Sequence, residues 1–301
     1  MTTFDTSLLP PLDEDEESRP AYRRVWRTTM IETLVLIIGT LVVNLAASLL
    51  NIHVDVAQRP PVTAALALTP LGLWFLFSWR GERRALNPRN DLVAVLVVSL
   101  LVANAVAGPF IEVFIEPGRW LNSLPGISRI LGYMVTVGLA VETLKYLVLR
   151  YMAWPGRFQQ RIDSIAYGLV VSLAFATVFN LRFALLEGGA QPGAAAIRIV
   201  STVLAHEGIG LIVSYRLMTL KQGRGGMLSL SIGLLFASFL YGVYVAFRAG
   251  FTVSAFGIGA TANAPLLGFG FSVAFGLFLF AVHAFLISSA DARDVRMSHL
   301  E

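Results

Sequence analysis

Eight stretches of this chain, residues 28–50, 60–79, 92–115, 126–152, 164–186, 195–218, 227–248 and 264–288, are each long and apolar enough to cross a lipid bilayer. The hydrocarbon core is about 30 Å thick and a helix rises about 1.5 Å per residue, so a spanning helix needs roughly 20 mostly apolar residues. With 56% of residues apolar and only 14% charged, the chain carries more apolar surface than a water-soluble domain of 301 residues can bury. The expected fold is all-α, a polytopic membrane bundle of about eight transmembrane helices. Residues 1–27 form an N-terminal tail, its first 20 residues unstructured, residues 28–290 form the bundle, and residues 291–301 form a C-terminal tail. Arg59-Pro60-Pro61, Asn87-Pro88-Arg89, Glu116-Pro117-Gly118, Trp154-Pro155-Gly156, Gln191-Pro192-Gly193 and Gly223-Arg224-Gly225-Gly226 divide the runs with helix breakers or charge.

The net charge of +4 is no sign of nucleic-acid binding, because most basic residues flank apolar runs. One side of an eight-span bundle receives Arg19, Arg23, Arg24, Arg27, Arg80, Arg83, Arg84, Arg89, Arg150, Arg157, Arg161, Arg216, Lys221, Arg224, Arg293 and Arg296. The other receives little beyond Arg59, Arg119 and Arg248. The positive-inside rule then puts both termini in the cytoplasm; the expected location is the cytoplasmic membrane. The acidic run Asp13 to Glu17 precedes the first apolar stretch and no small-residue cleavage site follows it, which argues against a cleavable signal peptide. There is no cysteine, so disulfides, thiolate nucleophiles and Cys-held zinc or iron–sulfur sites are excluded. With no loop between spans long enough for an extramembrane domain, any chemistry belongs inside the bundle or at its mouths, and the lipid bilayer is its first partner.

An ionisable side chain deep in a membrane helix costs several kcal/mol unless paired or hydrated, so each is a functional candidate. Glu142 and Lys145 stand three residues apart on one face of the fourth span, as a self-neutralising pair or as a metal ligand or general base with its electrostatic partner. The fifth span has a four-residue ladder, Ser164, Gly168, Ser172, Ala176 and Asn180, that suits close helix approach with Asn180 hydrogen-bonding across it. The sixth repeats the device with Thr202, His206, Gly210 and Ser214, where His206 is a packed core residue or a ligand, and Glu207 points about 100° away from it. Ser238 and the central Tyr241 mark the seventh. Counted from the cytoplasmic end, Glu142 lies about 15 Å deep, His206 about 18 Å, Tyr241 about 21 Å and Asn180 about 25 Å, one slab near the midplane. Arg182 and Glu187 are expected to snorkel to the outer surface and His283 to sit at the interface.

From about residue 138 to 246, within a core of about 125–250, the chain resembles the PrsW family of intramembrane metalloproteases. Val141-Glu142-Thr143-Leu144-Lys145 stands where that family has Glu-Glu-x-x-Lys. Asp163, Gly168, Phe175, Ala176 and Asn180 match its second motif, Arg198 and His206 its third, and Leu240-Tyr241-Gly242-Val243-Tyr244-Val245 its His-Gly-x-x-Asp-like fourth. The departures fall on the chemistry: Val141 replaces the first glutamate, Phe179 the glutamate before Asn180, and Tyr241 and Val245 the last histidine and aspartate. The resemblance implies Glu142, Lys145, Asn180 and His206 as the catalytic set, with a zinc ion held by Glu142 and His206. Metal-bound water needs about three protein ligands and a carboxylate base, so zinc here requires a further carboxylate such as Glu112 or Glu207. The lead expectation is a degenerate protease, a pseudoenzyme that binds transmembrane segments of other membrane proteins. An active metalloprotease cutting a membrane-bound regulator such as an anti-sigma factor, and an accessory subunit of a membrane complex, are the alternatives.

Overall fold

The computed structural model describes residues 14–83, 89–248 and 265–298; side chains of 14–24, 122 and 293–298 are not described. Eight helices long and apolar enough to cross a membrane are present: α1 (Val25–Leu49), α2 (Val56–Arg83), α3 (Leu92–Trp120), α4 (Gly126–Met152), α5 (Arg161–Leu186), α6 (Pro192–Lys221), α7 (Met227–Phe247) and α8 (Pro265–Ala292). There is no strand among the described residues. This is the expected all-helical membrane bundle, with span ends shifted by a few residues.

The helix containing α1 starts at Glu14, inside the stretch expected to be unstructured, and the last helix runs on to Ser298. The helix opens on the acidic residues Glu14, Asp15, Glu16 and Glu17, and negative charge in a first turn favours helix in a polar segment. The expected tail before residue 14, the end beyond 298 and the loop positions Arg84, Asn87 and Pro88 lie outside the described residues.

At the centre stand α5 and α6. α6 packs against α5, α8, α1, α7, α2 and α4, while the outer helices turn large apolar side chains such as Leu45, Val113 and Phe278 outward, where lipid would meet them. Lipid tails are as apolar as leucine, so close backbone approach and interhelical hydrogen bonds hold such a bundle. The two small-residue ladders supply both. Gly168 lies on Ser214 and Gly210 on Ser172, each so near that a methyl group would overlap the serine. Asn180 Nδ2 donates to the Ile199 carbonyl at 3.3 Å. α4 and α7 meet likewise, since a β-carbon on Gly138 would stand 2.7 Å from the Ser238 carbonyl oxygen.

At the expected cytoplasmic face, polar side chains lock the helix ends together. Asp163 closes a capping box at the start of α5, accepting from the backbone N–H of Gln159 at 2.8 Å and of Gln160 at 2.7 Å. Its other oxygen takes Arg89 Nε at 2.7 Å, and the same guanidinium reaches Glu82 at 2.9 Å. Asp163 thus serves as a helix cap and clamp in this fold. His283, expected at the interface, is buried, with its ring edge-on to Tyr215 of α6 and Nδ1 2.7 Å from the Leu279 carbonyl.

Candidate functional site

α4 carries its ionisable pair into the bundle. Glu142 is 0% exposed and Lys145 1%, and Lys145 Nζ donates to Glu142 Oε1 at 2.7 Å. The same ammonium reaches the backbone carbonyl of His206 at 3.3 Å, joining α4 to α6. Glu142 Oε2 is buried and has no hydrogen-bond partner.

The His206 ring packs against two aromatic rings, Phe179 of α5 and Tyr241 of α7, each with its centroid 5.5 Å away. Its Nδ1 is buried and likewise has no partner. Asn180, Thr202 and Tyr244 complete the layer; the Tyr244 hydroxyl donates to Thr202 Oγ1 at 3.4 Å, and Thr202 donates to the Arg198 carbonyl at 2.8 Å. Asn180, His206 and Tyr241, from three helices, thus face one space, with Phe179 and Tyr241 against the histidine, and α4 joins them through the contact of Lys145 with the His206 carbonyl.

That layer is the floor of an open cleft of about 480 Å³, reaching the face opposite the Asp163 clamp. Phe179, His206, Tyr241 and Val245 all line it, whereas Glu142 and Lys145 do not. Its upper walls are charged. Arg182 and Glu187 border this cleft, where sequence reasoning had them snorkelling outward. Arg182 Nε donates to Glu112 at 2.7 Å and Arg182 NH1 to Asn104 Oδ1 at 3.2 Å. Gly108 makes this possible, since a β-carbon there would stand 2.6 Å from Arg182 Nε. Arg198 lies flat on the Phe183 ring, 3.6 Å from its centroid.

A second, much smaller cavity of about 30 Å³ lies on the other flank of α6, where Glu207 of α6 and Glu32 of α1 both reach it. Glu32 also accepts the Ser78 backbone N–H at 3.0 Å. Sequence reasoning missed Glu32; the signal was a lone carboxylate five residues into the first apolar run. Glu207 points away from His206 as its helical offset requires.

A catalytic zinc does not fit this donor set. Glu142 is held by an ammonium, Glu112 by Arg182, and Glu207 opens into the other cavity. Among the described residues no group of three or more His, Asp or Glu could hold a metal ion.

Comparison with known proteins adds the lineage. The family model described as PrsW family intramembrane metalloprotease matches residues 87–282. Protease PrsW of Bacillus subtilis (strain 168) is 30% identical over 110 residues, 36% of this chain and 49% of that protein, so the chain spans about half the length of the curated relative it matches. No solved structure matches. A match across most of the bundle, from the Arg89 clamp through the His206 layer and into α8, makes the chain a member of the PrsW family.

Proposed function

We propose that this PrsW-family protein is a pseudoprotease of the cytoplasmic membrane, with both termini in the cytoplasm, that holds segments of other membrane proteins in its cleft without cutting them. One observation carries this reading: three of the replaced motif positions, Phe179, Tyr241 and Val245, line the cleft as aromatic and aliphatic surface, while the carboxylate Glu142 is tied to Lys145 outside it. An aromatic and aliphatic floor suits contact with a polypeptide leaving the bilayer, and a salt-bridged carboxylate is a poor proton acceptor for water.

The second reading, an active metalloprotease cutting a membrane-bound regulator, draws support from two atoms. Glu142 Oε2 and His206 Nδ1 are both buried without partners, and both are metal-ligating types. Elemental analysis of the purified protein beside Glu142→Gln and His206→Ala separates the two. The pseudoprotease reading expects no stoichiometric zinc, no cleavage of transmembrane substrates in proteoliposomes, and photo-crosslinking of membrane polypeptides from position 245. About one zinc per chain that both substitutions abolish, together with cleavage lost in Glu142→Gln, overturns it.

A further inference from the structure

The cleft has more positive charge than its own side chains neutralise. Four arginines line it, Arg119, Arg182, Arg198 and Arg248, against three carboxylates, Glu112, Glu116 and Glu187. Arg119 pairs with Glu116 and Arg182 with Glu112. Glu187 stands 3.6 Å from Arg198, beyond a good hydrogen bond, and its field also reaches Arg248. One carboxylate is thus shared by two guanidinium groups that repel each other. The Arg248 side chain has no ion pair or hydrogen bond among the described residues. Behind it, Tyr241 is only 8% exposed and its hydroxyl bonds to no described residue, and His206 Nδ1 is an orphan at the floor. An unpaired hydroxyl that can donate, set beside an excess cation, forms a site for an anion.

A phosphate group suits this arrangement best. The guanidinium fork binds phosphate oxygens two at a time, the one positive charge left in excess matches a phosphodiester, and the site sits at the helix ends, the level of lipid headgroups. We infer that the mouth of this cleft binds a phosphate ester, through Arg248 and Arg198 with the Tyr241 hydroxyl as a further donor. The source is either an anionic phospholipid headgroup or a soluble phosphate compound. The inference holds whether or not the floor of the cleft captures or cuts a polypeptide.

The test uses the full chain without any polypeptide partner. In neutral detergent, inorganic phosphate is expected to raise the apparent unfolding temperature saturably over chloride of matched ionic strength. In nanodiscs, native mass spectrometry is expected to find phosphatidylglycerol retained over phosphatidylcholine if the headgroup is the source, and no preference if a soluble ester is. Arg248→Gln should weaken phosphate binding at least tenfold, and Tyr241→Phe, which removes one hydroxyl from a ring that stays packed, by a smaller factor. Arg83→Gln, on the opposite face, should leave it unchanged. Should phosphate act no differently from chloride and nanodiscs show no anionic-lipid preference, the inference fails; it fails equally if Arg248→Gln and Tyr241→Phe both bind as the parent does.

Discussion

Gly210 of α6 lies against Ser172 of α5 with no room for a methyl group, and the same spot is 3.7 Å from Lys145 Nζ, so this tight helix contact adjoins the buried ion pair. Gly210→Ala must displace the Ser172 hydroxyl and crowd α6 against α5. Overpacking of this kind costs about 1–3 kcal/mol. The apparent unfolding temperature in mild detergent should fall accordingly, while Gly39→Ala, where nothing lies within 4 Å, should leave it near the parent value.

The Glu142–Lys145 pair is expected to be worth more as a pair than either member alone. Lys145→Met leaves a buried carboxylate facing an aliphatic chain, and breaking a buried ion pair from one side costs about 3–5 kcal/mol. The double change Glu142→Leu with Lys145→Met removes both charges and should recover most of that loss. A double-mutant cycle by thermal unfolding reads the difference. If the double variant is as unstable as Lys145→Met, the carboxylate is not what makes the single change costly.

Arg182 crosses α3 through the gap left by Gly108 and ends on Glu112. Gly108→Ala should dislodge it and mimic Glu112→Gln. The two losses in unfolding temperature should then be non-additive, because groups sharing a partner couple by about 0.5–3 kcal/mol. Simple addition would mean that Arg182 keeps its place when Gly108 is filled.

Orientation can be read directly because the chain has no cysteine. Single cysteines at Asp55 and Glu187 should react with a membrane-impermeant maleimide in intact cells. At Gly156 and Gln222 they should react only after permeabilisation. The reverse pattern would turn the bundle over and put the arginine-rich cleft in the cytoplasm.

The sequence made the eight spans readable because length and apolarity alone determine them, and the ladders of α5 and α6 because four-residue spacing survives in a helix whatever surrounds it. Depth counting likewise brought His206, Tyr241 and Asn180 to one level. The cleft was not readable. Arg182, Glu187 and Arg248 look like routine interfacial charges until α3, α5, α6 and α7 are assembled around one opening. The same applies to Glu32 and Glu207, which come from distant segments, and to His283, which is buried with its ring edge-on to Tyr215 of α6. In helices apolar on nearly every side, periodicity carries no instruction about which neighbour a given face will meet.

The Glu142–Lys145 bond joins residues one turn apart on a single helix, so it needs no other helix in order to form. Each charge by itself would oppose transfer of α4 from the translocon into lipid by about 2.5–3.5 kcal/mol at the helix centre. Carried as a neutral couple, α4 can leave the insertion machinery before α5 and α6 have been synthesised. Moving Lys145 to another helix would therefore be felt first during biogenesis, as a nascent chain that fails to integrate.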